Sequence, residues 1–132
     1  MSISEIGQGV FVGNLASAKF PPTGIQAVVN CTSNLRYRCS LPVHRFYPWK
    51  PRNMAEVEDM LYGIDAMIRF VANYDRVLFH CRGGRHRAPA VAIVALVCLH
   101  RLSRAEATVL VKSRRPAVQL EYYDWFIDAF AV

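Results

Sequence analysis

Ten consecutive residues concentrate the reactive chemistry of this chain: His80-Cys81-Arg82-Gly83-Gly84-Arg85-His86-Arg87-Ala88-Pro89. A thiol, three arginines and two glycines stand between an apolar triplet, Val77-Leu78-Phe79, and the long apolar run Ala88 to Leu99. The triplet has the composition of a buried strand, and Pro89 suits the first turn of a helix, where its missing N–H costs little. The pattern therefore predicts a strand, an anion-sized loop and a helix N-terminus in succession. Unpartnered backbone N–H groups at a helix start carry the positive end of the macrodipole, so such a loop favours phosphate-like groups. The arginines reinforce that field, and a thiol placed in it is expected to serve as a nucleophile. Buried cysteines are usually inert small hydrophobes, and glycine pairs usually mark plain turns. Here the fixed spacing H-C-x-x-G-x-x-R agrees with the strand and helix context, which favours chemistry over packing.

A loop of this kind needs a scaffold, and the chain has the material for one. Its 132 residues, 53% hydrophobic, predict one domain, residues 1–132, that buries roughly two thirds of its unfolded surface. Val10-Phe11-Val12 before Gly13-Asn14 and the run Ile25 to Cys31 read as strands, with Val43 to Tyr47 a weaker one. Near-continuous apolar runs without alternation suit strands covered on both faces, as in a parallel or mixed sheet between helices. Residues 32–42 and the proline-broken 48–53 read as loops. From Met54 the period becomes helical: Val57, Met60, Leu61, Ile64, Met67, Ile68 and Val71 share one face. Ser103-Arg104-Ala105-Glu106 has capping-box spacing for a helix that ends at Arg114-Arg115-Pro116, and Leu120, Tyr123, Ile127 and Phe130 mark a C-terminal helix. The expected class is α/β, with a small, mostly parallel central sheet flanked by helices.

The net charge of +6 suits a phosphorylated or polyanionic partner, although basic surfaces also serve solubility alone. Cys31, Cys39, Cys81 and Cys98 form no C-x-x-C pair, and no histidine is spaced to complete a zinc site, so no metal or other cofactor is expected. A reduced, intracellular, cytoplasmic protein is the simplest account of those cysteines. The stretch Met1-Ser2-Ile3-Ser4-Glu5 lacks the pattern of a secretory leader, the run Ala88 to Leu99 is too short to span a bilayer, and no prenylation box closes the chain. No stable membrane anchor is expected. Sequence-specific nucleic-acid binding is not expected either, because no recognised module or aromatic-basic interleaving accompanies the charge.

The loop residues carry a resemblance. H-C-x5-R is the signature of the cysteine-dependent protein tyrosine phosphatase superfamily, and the chain resembles its compact, atypical dual-specificity phosphatases over nearly its whole length. The stretches Val10-Phe11-Val12-Gly13-Asn14 and Gly24 to Asn30 look like the family's first two strands, and the ending Arg87-Ala88-Pro89 looks like the phosphatase of regenerating liver group. The resemblance implies a phosphomonoester hydrolase with Cys81 as nucleophile and a phosphocysteine intermediate. It implies that Arg87 grips two phosphate oxygens in a fork that lysine cannot copy, and that His80 orients the loop and supports the thiolate. Arg82, Gly83, Gly84, Arg85, His86 and Ala88 would complete the phosphate cradle, the glycines by permitting tight turns and close approach.

Two departures qualify that picture. Ala88 stands where most members carry a Ser or Thr whose hydroxyl helps the thiolate leave, so a slow second step is expected. An ungapped comparison places Lys50 where the family's general-acid aspartate falls, and residues 43–55 contain no Asp or Glu. Proton donation is worth roughly 10²- to 10⁴-fold, so alkyl phosphates would suffer most. Glu56, Glu58 and Asp59 are the nearby acids; first-turn acids usually serve the helix dipole, and Asp59 ranks first as a substitute.

Arg82 and Arg85 occupy loop positions that are lysines in the phosphoinositide phosphatase tumour suppressor. Lys50, Arg52, Arg36, Arg38 and Arg45 would add to the same field if their loops overhang the pocket. The first expectation is thus a phosphatase of phosphorylated proteins. An alternative is a phosphatase of a phosphorylated polyanion: a phosphoinositide, an inositol phosphate or the 5′ triphosphate of RNA. A third is a phosphate-binding pseudophosphatase, against which the presence of both Cys81 and Arg87 argues.

Overall fold

The computed structural model describes residues 2–132, so Met1, the first residue of the stretch read for a leader, lies outside it. Five strands form one sheet: β1 (Ile3–Gly7), β2 (Val10–Gly13), β3 (Ala27–Asn30), β4 (Val43–Arg45) and β5 (Val77–His80), in the order β1-β2-β5-β3-β4. Only β1 is antiparallel to its neighbour; β2, β5, β3 and β4 run parallel. The helices are α1 (Leu15–Lys19), α2 (Met54–Val71), α3 (Arg87–His100), α4 (Arg104–Arg114) and α5 (Asp124–Phe130), with a 3₁₀ turn at Leu120–Tyr123. This is the expected mostly parallel α/β sheet between helices.

Strand period decides which side chains reach which layer. Val77, Phe79 and Cys81 join Val10, Val12, Ala27, Val29 and Cys31 in the larger core, beneath α2 to α5. Leu78 joins Phe11, Val28, Ala18 and Ile25 in a smaller core on the other face, where Tyr37, Cys39 and Leu41 from the 32–42 loop pack. Both faces are therefore covered, which explains the unbroken apolar runs. Helix α3 is buried continuously from Ala88 to Leu96 because it lies on the sheet between α4 and α5.

The capping box at the start of α4 is present: Ser103 Oγ accepts the Glu106 N–H, and Glu106 accepts from Ser103 N–H. Strands β3 and β4 are shorter than the apolar runs that announced them. The C-terminal helix is also shorter, its first turn being 3₁₀, which suits the three-residue step from Leu120 to Tyr123. Strand β1 and helix α1 carried no clear signal. Only Ile6 of β1 is buried, and α1 is a five-residue turn held by its Asn14 cap.

Candidate active site

Strand β5 ends at His80, and the next residue, Cys81, opens a bend that runs to His86 before α3 begins at Arg87. The helix start has no side-chain cap, so its first N–H groups are free for an anion. Gly84 makes the bend possible. It holds φ +69°, and a Cβ there would stand 2.6 Å from the Gly13 carbonyl oxygen and 2.7 Å from the Arg115 guanidinium. Gly83 differs from the expectation for the glycine pair: it does not adopt a positive φ, and a Cβ would meet nothing within 4 Å. The close approach is made by Gly84 alone.

Cys81, Arg82, Gly83, Arg85, His86 and Arg87 line one cavity of about 690 Å³. Ala88 is fully buried in the first turn of α3. Cys81 itself is 2% exposed. Ser2, Ser4, Asn14, Arg114 and Arg115 complete most of the wall, so five arginines and no carboxylate surround the thiol.

Arg115 is the strut of this arrangement. It is 6% exposed; its Nε donates to the Gly84 carbonyl at 2.8 Å, and its terminal nitrogens donate to Gly83 O, Ser2 Oγ and Ser4 Oγ. Burial pushes its pKa down, Arg85 acts the same way and Cys81 opposes them. Arg115 thus ties the bend to the N-terminal segment, its serine partners lying 111 and 113 positions away in sequence. On its outer side Arg85 O accepts from Gln119 N–H at 2.8 Å, while His86 bonds Gln119 Oε1 at 2.8 Å and meets the Tyr122 ring edge-on.

His80 sits under the bend on the opposite face of the sheet from Cys81 and is fully buried. Its Nδ1 lies 3.1 Å from the Cys81 carbonyl oxygen, and its Nε2 bonds the Tyr37 hydroxyl. Burial pushes the imidazole pKa down to about 4, with Arg87 and Arg45 lowering it further against the raising effect of the Cys81 bond. The ring is neutral at pH 7. Cys31, which donates its N–H to His80 O at 2.8 Å, has its thiol pKa pushed well up by burial first and by neighbouring Cys81 second.

Lys50 and Asp59 are not brought to this cavity. The segment after β4 gives its inward positions to Pro48, which is buried, and to Trp49, which packs on the core; Lys50 is left exposed. Asp59 is on an exposed face of α2. Glu56 also stays away: it accepts from the Arg52 side chain and backbone, at 2.8 Å in each case, and from no group of the bend. Those bonds hold its carboxyl below the usual range. Of the distal cations, Arg45 donates to Ser33 O and Leu35 O and so anchors the 32–42 loop. Arg36 and Arg45 border a separate, smaller cavity. The basic wall comes instead from Arg114 and Arg115, which the sequence showed only as a helix end before Pro116. Among the described residues no cluster of His, Cys, Asp or Glu has a metal-holding arrangement.

No family model matches the chain, and no curated protein matches it in sequence. Solved structures do match. Tk-PTP in its active form superposes with a TM-score of 0.73, covering 98% of this chain and 96% of its own, at 22% identity. Human DUSP28 superposes with a TM-score of 0.68 over 98% of this chain and 92% of its own, at 20% identity. The fold is that of the dual-specificity phosphatases. PTPMT1, solved in complex with PI(5)P, shares the same fold at a TM-score of 0.68 and 15% identity, covering 89% of this chain and 86% of its own. On a dual-specificity phosphatase fold a cysteine leaving the central parallel strand lies at the carboxyl ends of the strands, where open α/β sheets place their ligand crevices.

Proposed function

We propose that residues 1–132 form one cysteine-dependent phosphatase domain that hydrolyses phosphomonoesters of phosphorylated proteins through a phosphocysteine. The reading is carried by one observation: Cys81 lies in an arginine-walled cavity beside the uncapped start of α3, whose first residue, Arg87, lines the same cavity. The Cys81 thiolate attacks phosphorus; the S–P bond forms as the P–O ester bond breaks, and the leaving oxygen takes a proton from solvent water, which the water that later attacks the phosphocysteine returns. Water then attacks the phosphocysteine, the S–P bond breaks, and inorganic phosphate leaves with the thiolate restored. Arg87 and the bend N–H groups hold the equatorial oxygens throughout. Asp59 is the substitute proton donor in this scheme only if α2 or the segment before it shifts inward.

A substrate of higher charge is the second reading, favoured by five arginines with no carboxylate in the cavity wall. PTPMT1 carries PI(5)P in its own structure, which gives that reading a precedent on this fold. Four free cysteines suit a reducing, intracellular setting. No helix among the described residues is long and apolar enough to cross a membrane.

The test is hydrolysis of an aryl phosphate, phosphotyrosine peptides, phosphoinositides and triphosphate-ended RNA, with Cys81→Ser as the blank. Turnover of the first two that vanishes in the blank is expected. Activity on phosphoinositides or RNA alone would move the assignment to the second reading, and equal rates in the blank would overturn both.

A further inference from the structure

Five arginines line the cavity around Cys81, and among the described residues none of them is in an ion pair. Arg115 is the extreme case. It is 6% exposed, and its hydrogen bonds go to the carbonyls of Gly83 and Gly84 and the hydroxyls of Ser2 and Ser4, all of them neutral. A guanidinium has five N–H donors, so one hydrogen on Nη1 is left over. A buried charge is normally paired, because its lost hydration is otherwise uncompensated. This corner of the cavity therefore favours an anion, and the chain itself holds a hydroxyl that a phosphoryl group would turn into one.

Ser2 carries that hydroxyl. Its Oγ lies 2.9 Å from Arg115 Nη2, and the residue is exposed and lines the same cavity as Cys81. Ser4, the other serine on Arg115, is half-buried within β1, with its backbone committed to the sheet. The backbone of Ser2 is tethered only to Asn14: its carbonyl accepts from Asn14 N–H at 3.0 Å, and its N–H donates to Asn14 Oδ1 at 3.3 Å. A phosphate on Ser2 Oγ thus has Arg115 beside it and Arg82, Arg85 and Arg114 in the same wall. Phosphoserine offers nearly two negative charges and three acceptor oxygens, the chemistry that arginine clusters bind.

Resting on the proposed phosphatase reading, we propose that Ser2 is a phosphorylation site whose phosphate turns into the arginine wall of its own cavity and excludes substrate. A protein kinase using a nucleoside triphosphate supplies the group. The Oγ–P bond forms, the bond between the γ-phosphorus and the nucleoside diphosphate breaks, and the hydroxyl proton passes to solvent. The bound phosphate repels a substrate phosphate and takes up the arginines that would draw it in. Only chains with the phosphate swung out bind substrate, so apparent affinity falls by that fraction while turnover at saturation is kept.

The experiment compares the chain carrying genetically encoded phosphoserine at position 2 with the unmodified chain. For an aryl phosphate, KM is expected to rise roughly tenfold with kcat nearly unchanged, as when about one chain in ten has the phosphate swung out. Orthovanadate should bind more weakly by the same factor. Phosphorus NMR reads the placement without turnover, in the phosphorylated chain with Cys81→Ser. Phosphoserine loses its last proton at about pH 6; the midpoint is expected about one unit lower in the folded chain, back at its ordinary value in urea, and partly restored by Arg114→Gln. An ordinary midpoint in the folded chain, or an unchanged KM, overturns the inference. The phosphatase reading then stands as long as the unmodified chain hydrolyses the aryl phosphate by way of Cys81. Absence of that hydrolysis overturns the phosphatase reading instead, and the NMR midpoint still decides where the phosphate sits. An unchanged KM for the aryl phosphate with a raised KM for a doubly phosphorylated peptide gives this corner to a second substrate phosphate and overturns the inference. So does an effect that fades as the protein is diluted, which puts the phosphate in the cavity of another copy.

Discussion

Two segments leave the parallel strands β5 and β4, with β3 between them, at the same carboxyl end of the sheet, and they are built differently. The bend after β5 has its thiol, an uncapped helix start, Gly84 seated against Gly13, and Arg115 tying two of its carbonyls to the N-terminal strand. The segment after β4 gives its inward places to Pro48 and Trp49, leaves Lys50 exposed and carries no acid before Glu56. In the proposed reaction, phosphate grip and nucleophilic attack depend on the first segment, and proton donation would have to come from the second. On the proposed reaction, the contrast teaches that the site is preorganised for phosphate grip and nucleophilic attack and has no carboxylate in its wall to assist proton transfer.

The contrast breaks most readily at Arg87. Its planar fork matches two phosphate oxygens, which a lysine ammonium does not. Arg87→Lys is expected to lower kcat/KM for an aryl phosphate by roughly 10²- to 10³-fold, the cost typical of losing a preorganised oxyanion donor. Retention of more than a tenth of the rate would mean that the bend does not grip phosphate as proposed. The same variant should bind orthovanadate far more weakly.

A second prediction concerns stability rather than rate. His80 has a folded pKa of about 4 against about 6.5 in an unfolded chain. The unfolded state therefore binds more protons between those values, and stability is lost as pH falls from about 6.5 toward 4. The loss attributable to His80 is roughly 3 kcal/mol over that window. Denaturant unfolding as a function of pH reads it directly. His80→Asn should flatten the profile, and an equally steep fall in that variant would assign the acid sensitivity elsewhere.

What the sequence revealed follows the same division. Cys81, Arg87 and the flanking strand and helix were legible because their spacing is local: strand, bend and helix start fall within ten residues. The parallel sheet was legible because strands covered on both faces lose their alternation. Arg115 was not, because its partners Ser2, Ser4, Gly83 and Gly84 come from remote parts of the chain and its local signal was only the end of a helix. Tyr37 was hidden for the same reason, forty-three positions from His80 in a loop that read as polar turn. Strand β1 was missed because an edge strand with one buried residue carries no pattern.

The hydrolytic half of the cycle can be sharpened at Ala88. The residue is fully buried in the first turn of α3, next to Arg87, and the resemblance places there the hydroxyl that helps the thiolate leave. On the proposed cycle, in which the phosphocysteine is expected to form faster than it hydrolyses, an aryl phosphate should give a burst followed by slow turnover in the unaltered protein. Ala88→Ser should raise the steady-state rate severalfold, an effect of about 1 kcal/mol, and reduce the burst. Absence of a burst would place the slow step before the phosphocysteine and remove the reason for expecting any gain.

The smallest expected effects are at the acids of α2. Glu56 is committed to Arg52, whose hydrogen bonds hold its carboxyl below the usual carboxylate range, so it is ionised at neutral pH and poorly suited to give up a proton. Asp59 is exposed on α2, outside the cavity wall. Glu56→Gln and Asp59→Asn should each change kcat for an aryl phosphate by less than twofold, within the small effects usual for exposed positions, and neither should remove the high-pH limb of its profile. Phosphoserine peptides, whose alkoxide leaving group needs the proton more, provide the stricter reading. If Asp59→Asn abolishes that limb and lowers phosphoserine turnover roughly 10²-fold, then α2 moves during catalysis, and the segment after β4 contributes a proton after all.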